Sequence, residues 1–175
     1  WGFVGGYWSR FSTFIYGPAT VLAYLRGDGP PEHRVGHNPL GMLSVLALLC
    51  ILLAQVGTGL IADDEIAYTG PLVRFVSGET ISDATSYHKN VGKFIVLGLV
   101  VLHLLAIAFY KLVKKDNLVR PMITGMKEVE DADAAPAQGG GAVALIVALA
   151  ITAAALYVAT GSFIEPPPPP PVAPW

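Results

Sequence analysis

The segment 88–110 reads HKNVGKFIVLGLVVLHLLAIAFY, an apolar stretch of lipid-crossing length with a histidine near each end. A bilayer core takes about 20 apolar residues of helix. In lipid every backbone polar group must be satisfied within the segment, so only helices or closed barrels cross it. Two further runs meet the same length, about Leu40 to Ala62 and about Gly141 to Gly161. The chain is 53% hydrophobic and 14% charged, against about 25% charged residues in soluble domains. The fold class is therefore an all-α transmembrane helical bundle with three spans. The net charge of −2 by itself says nothing about nucleic acid, and no basic run of the nucleic-acid kind appears.

Ionisable groups inside a span are costly and are functional hypotheses by default. Fifteen residues of α-helix from His88 to His103 rise roughly 22 Å and turn about 1500°, four turns plus about 60°. The two imidazoles thus point to roughly one side of the helix at two depths. Two stacked haems need that arrangement, with one axial ligand near each membrane surface. The alternative is a pair of buried, hydrogen-bonded histidines. Neutral imidazole is a good axial ligand for haem iron. Gly92 and Gly98 either admit a flat macrocycle or let helices pack closely. Lys93, about 7.5 Å of rise inside His88, either snorkels outward or pairs with a haem propionate. Arg10, Arg26 and Arg34 either meet the propionates of an inner haem or are solvated. Gln55 in the first span either hydrogen-bonds across helices or lines a cofactor cavity. His33 and His37, both on the cytoplasmic side, are possible ligands, but the favoured reading has His37 fix the loop before Pro39 and leaves His33 exposed. Cys50 is alone, so no internal disulfide and no all-cysteine iron–sulfur site can form. No C-x-x-C-H occurs.

Loop charge orients the spans. Residues 63–87 carry Asp63, Asp64, Glu65, Glu79 and Asp83 against Arg74, whereas 111–127 carry Lys111, Lys114, Lys115, Arg120 and Lys127 against Asp116. Positive short loops stay cytoplasmic. His88 then lies near the outer surface, His103 deeper, and the C-terminal tail is periplasmic. Pro18 and Gly27 bracket a short helix lying in the cytoplasmic interface, and Trp1, Tyr7, Trp8 and Tyr16 suit the headgroup level. Five parts follow: 1–39, the end of a preceding helix with the interfacial helix and loop; 40–127, the haem-binding spans; 128–140, a flexible linker; 141–161, an extra span; and 162–175, a proline-rich tail. The tail is extended polyproline II, either solvated or docked on a partner. The start at Trp1, without a signal peptide, suggests that sequence lies upstream.

WGFVGG at 1–6, PATVLAYLRG at 18–27, GHNPLG at 36–41, the His88–His103 helix and NLVRPMITGMK at 117–127 together resemble the carboxy-terminal part of a bacterial cytochrome b561. That family also includes the b-type cytochrome subunits of nickel–iron hydrogenases. The resemblance implies a four-helix core holding two b haems, with His88 and His103 on different irons. It also implies that the opposite ligands sit on two helices that precede the WGF-type segment. Those helices are absent here, so the remaining ligands come from upstream sequence or another subunit. The implied role is transfer of electrons across the bacterial inner membrane, as a subunit of an oxidoreductase complex rather than as an enzyme alone, with no catalytic residue of its own. The implied partners are a c-type cytochrome, dehydrogenase or hydrogenase on one side and quinone or another carrier on the other. The rival reading is a non-redox membrane scaffold. A proton or ion transporter fits poorly, because the spans lack acidic residues.

Overall fold

The computed structural model describes residues 1–29, 33, 35–128 and 138–163. Among these the chain is helical, with isolated bridges at Gly6–Gly139 and Asp63–Thr69 and no strands. Among the described residues three helices are long and apolar enough to cross a membrane. Short helices α1 (Phe11–Phe14) and α2 (Pro18–Leu25) precede the first span, α3 (Pro39–Leu60). Asn38 starts α3, as its side-chain oxygen accepts from Gly41 N at 2.7 Å. Pro39 occupies the first turn, where its missing N–H costs nothing.

The second span is longer than its apolar stretch. Helix α4 (Gly78–Tyr87) runs through a π-turn (His88–Gly92) into α5 (Lys93–Leu112), giving one helix of 35 residues. Its polar first ten residues give no span signal, but Ser77 caps them, accepting from Thr80 N at 3.3 Å, with Glu79 in the first turn. The π-turn inserts about one extra residue into the helical winding, removing about 100° of rotation. The offset between His88 and His103 changes from about +60° to about −40°, so both still face one side. Helix α6 (Val119–Thr124) follows, started by Asn117 Oδ1, which accepts from Val119 N and Arg120 N. The last helix, α7 (Gly141–Ala159), has no buried residue.

Helices α3 and α5 form an antiparallel pair. Its two ends are sealed differently. At one end Tyr110 on α5 accepts from Asn38 Nδ2 at 2.8 Å and shares a hydrogen bond with Tyr24 at 3.0 Å. At the other, the 61–77 segment folds back on α3: Leu72 N donates to Leu60 O at 2.9 Å and Gly70 N to Ala62 O at 2.8 Å. Helix α7 is tied at both levels. Tyr7 N donates to Gln138 O at 2.7 Å beside the start of α7. At its far end Arg74 donates to Gly161 O, and Phe163 stacks on Phe75 at 6.3 Å. Three spans thus cover one common thickness. The buried apolar core is small: Phe14, Met42, Ala62 and Ala84. The outward faces of the spans present leucine, valine and isoleucine, which lipid or other helices satisfy.

The expectation for His33 is corrected. Its relative exposure is 7%, with its ring packed edge-on against Tyr16 at 4.6 Å and near Tyr24 at 5.8 Å. Two tyrosines from α2 and the segment before it close over a loop that reads as polar in sequence. Arg34, residues 129–137 of the 128–140 linker and the proline run lie outside the described residues.

Candidate functional site

Both histidines of the second span turn toward α3, and each finds a partner there. His88 Nδ1 lies 2.9 Å from the carbonyl oxygen of Gln55. A carbonyl only accepts, so Nδ1 carries the proton and Nε2 keeps its lone pair. Thr58 Oγ1 lies farther from Nδ1, at 3.4 Å, and donates instead to Ala54 O at 2.7 Å. His103 Nδ1 lies 3.2 Å from the Ser44 hydroxyl. Both imidazoles are half-buried.

The register explains why both meet polar partners. Ser44 and Gly59 are fifteen residues apart on α3, as are His88 and His103 on the opposite helix. In an antiparallel pair with constant register, His103 falls beside Ser44 and His88 beside Gly59. A Cβ at Gly59 would sit 2.8 Å from His88 Cε1, so only glycine admits the ring.

Gln55 resolves one alternative left by the sequence: it bonds across the helices. Its side chain donates to the His88 carbonyl at 3.0 Å, while its own carbonyl accepts from the His88 ring. The π-turn disturbs the usual i→i−4 ladder at this point, and an inserted side chain is a recognised cause and partner of such breaks. Gly92 makes room for this amide, since a Cβ there would lie under 2.5 Å from Gln55 Oε1. The close approach at Gly92 is therefore between helices. Gly98 has nothing within 4 Å of a Cβ position, and lies about 140° round α5 from His103. Lys93 Nζ stands over the Phe94 ring at 4.7 Å. Arg10 Nε donates to Gly5 O at 2.8 Å, and its guanidinium rests beside Gly139.

The other two histidines sit apart from this seam, before the start of α3. His37 stacks on Phe14 at 4.4 Å, and its carbonyl accepts from Tyr16 Oη at 2.9 Å, which fixes the loop before Pro39. Burial holds its imidazole below the ordinary histidine range, opposed by a hydrogen bond to the Trp8 backbone. Sequence reasoning missed Ser44, Thr58 and Gly59. The available signal was the matched fifteen-residue spacing in the two spans.

Among the described residues no three His, Cys, Asp or Glu side chains gather to hold a bare metal ion. A haem brings four nitrogen ligands of its own and asks the protein only for axial ones. An imidazole with Nδ1 tied to a carbonyl and Nε2 free fits that request at His88, and His103 beside the Ser44 hydroxyl can take the same tautomer at the second depth.

A multi-span helical membrane protein with two intramembrane histidines, each hydrogen-bonded across one helix seam, is the class these features define. The chain belongs to the prokaryotic cytochrome b561 family, which it matches over residues 15–125. No curated protein and no solved structure matches the chain. It is thus a multi-pass bacterial membrane protein, a b-type cytochrome of electron transfer, and its cofactor is b-type haem.

Proposed function

We propose that this chain carries electrons across the bilayer through two b haems, with His88 ligating one iron and His103 the other. The observation that carries this is the shared register: each imidazole has Nδ1 in hydrogen-bond reach of α3, which leaves Nε2 as the nitrogen to offer a metal once Nδ1 carries the proton. About 22 Å of helix rise separates them, too far for one iron with bonds of about 2 Å. When bound, haem supplies the reversible one-electron chemistry. The chain supplies an axial nitrogen, its orientation and an apolar surrounding. Lys93 and Arg10 are the cations assigned to propionates in this reading, each having to leave its present contact, the Phe94 ring for Lys93 and the Gly5 carbonyl for Arg10. Gly98 leaves an open face on α5 for a macrocycle or a neighbouring helix.

The second axial ligands come from helices outside these residues, either upstream or on another subunit. His33 and His37 lie together before α3 and cannot serve the site at His88. The loop charges support a cytoplasmic-membrane topology with 63–87 and the C-terminal tail on the periplasmic side. The acidic 63–87 segment then meets a redox partner with a basic face, such as a c-type cytochrome or another subunit, and quinone is a candidate for the other end of the path.

Haem content and the reduced-minus-oxidised spectrum of His88→Ala and His103→Ala, purified with any partner subunit, test the assignment. Each is expected to lose one haem and keep most of the other. Full haem content in both variants would overturn it.

A further inference from the structure

We infer that α3 sets the two haems apart: the Gln55 carbonyl and the Ser44 hydroxyl are positioning groups that give the His88 haem a lower reduction potential than the His103 haem. The inference rests on the ligand assignment above and deepens it.

The second hydrogen bond of a ligating imidazole fixes its tautomer and raises its basicity, which tunes the metal. With Nε2 on iron, Nδ1 must carry the proton, so at both sites the α3 oxygen accepts. The two acceptors differ. At His88 the acceptor is a main-chain carbonyl at 2.9 Å. It is locked in place by the helix and by the Gln55 side chain, which grips the His88 carbonyl at 3.0 Å. At His103 it is a side-chain hydroxyl at 3.2 Å, a longer contact from a group that is not part of the main-chain ladder. The shorter and fixed bond draws the Nδ1 proton more strongly and makes His88 the better electron donor to iron. A stronger donor favours the oxidised metal, which lowers the potential. The asymmetry is built into one helix, and it favours electron flow from the site beside Gly59 to the site beside Ser44.

Each site has a handle. Ser44→Ala removes the acceptor at His103 with little change of shape, and Ser44→Thr keeps it. The Gln55 carbonyl cannot be deleted, but Gly59→Ala places a methyl 2.8 Å from His88 Cε1 and 3.2 Å from Nδ1, which pushes the ring off the carbonyl.

The test is a potentiometric titration of the haem-loaded protein, followed at the reduced-haem absorbance, with haem content measured alongside. Ser44→Ala is expected to raise the midpoint of the higher-potential step alone, and Ser44→Thr to restore it. Gly59→Ala is expected to raise the lower step alone. If both variants leave both midpoints unmoved, or either moves the two steps together or downward, the positioning role is overturned. If Ser44→Ala moves the lower step, the order of the two haems is overturned. Loss of haem in His88→Ala and His103→Ala under either result shows that the ligand assignment still stands. Retention of full haem in those two variants fails the assignment itself.

Discussion

Gly70→Ala offers a sharp structural test of the return segment that seals the His88 end. A Cβ at Gly70 would lie under 2.5 Å from the Leu60 carbonyl oxygen, and 2.8 Å from the Gly59 carbonyl oxygen. Comfortable contact needs about 3.5 Å, so main chain must retreat by roughly 1 Å. Neither neighbour is the end of a flexible side chain. The Leu60 carbonyl also holds Leu72 N at 2.9 Å, and the Gly59 carbonyl accepts from Tyr68 Oη at 3.0 Å. Overpacking costs about 1–3 kcal/mol, and one or two weakened hydrogen bonds add about 1 kcal/mol each. The sum, about 3 kcal/mol, is roughly a 100-fold fall in the folded-to-unfolded ratio. Gly59 packs on the His88 ring, so the disturbance reaches that site first. Denaturant titration in detergent measures the stability change, and haem content reports the site. Gly78→Ala is the control: its Cβ meets nothing within 4 Å, and alanine gains up to about 1 kcal/mol in a helix. Unfolding of Gly70→Ala at the wild-type midpoint, or equal damage from both variants, would refute the reasoning.

Three other outcomes are expected. His37 sits below the ordinary histidine range because of burial. The unfolded chain therefore binds the proton first, and stability should fall as pH drops below about 6.5; His37→Gln should flatten that fall in a pH series of denaturant midpoints. Tyr110→Phe leaves Asn38 Nδ2 and Tyr24 Oη without their shared partner, so it should cost about 2 kcal/mol, roughly twice the cost of Tyr24→Phe. It should also bring down the Tyr24 hydroxyl, which burial and then Tyr110 hold above the ordinary range, as spectrophotometric titration reads. Replacing Asp63, Asp64 and Glu65 by their amides should slow electron delivery from a basic redox partner and weaken its salt dependence; an unchanged rate at low salt counts against docking there.

The spans were readable because length and apolar content leave a lipid-crossing segment few options. Leu40–Ala62 and Gly141–Gly161 match α3 and α7 to within two residues at each end. Helix α2 followed from Pro18 at its start. The ten-residue extension at Gly78–Tyr87 escaped notice because it carries no apolar run. Its cap, Ser77, is visible only once a helix is suspected. The His88–Gly92 π-turn had no local signature. It depends on Gln55, thirty-three residues before His88, and a single sequence does not disclose which residues face one another across two helices. The burial of His33 is hidden for the same reason: its covering tyrosines are nine and seventeen residues away. The histidine pair itself was legible, since intramembrane ionisable groups are rare. Its α3 partners were not, because serine and glycine are ordinary in membrane helices.

Helix α7 poses a separate question, since it spans without an inward-facing polar group. Helices in lipid gain little from hiding apolar surface on one another, because lipid tails are equally apolar. Close association then needs hydrogen bonds or tight packing. None of its residues is buried, and its described hydrogen bonds to the rest lie at its flanks, at Tyr7–Gln138 and Arg74–Gly161. Such a helix is moored at the two membrane surfaces and free along its middle. It can leave without disturbing the α3/α5 seam, whose bonds at Ser44 and Gln55 do not involve it. Truncation after Glu128 should therefore keep the haem that depends on His88 and His103. It should cost only the flank bonds, about 1 kcal/mol each, most visibly as faster proteolysis of residues 1–10. Haem content per chain and limited proteolysis of the truncated protein check both parts. Loss of either haem on truncation would mean that α7 closes a cofactor site, and that its uncovered face meets the core once the remaining helices are in place.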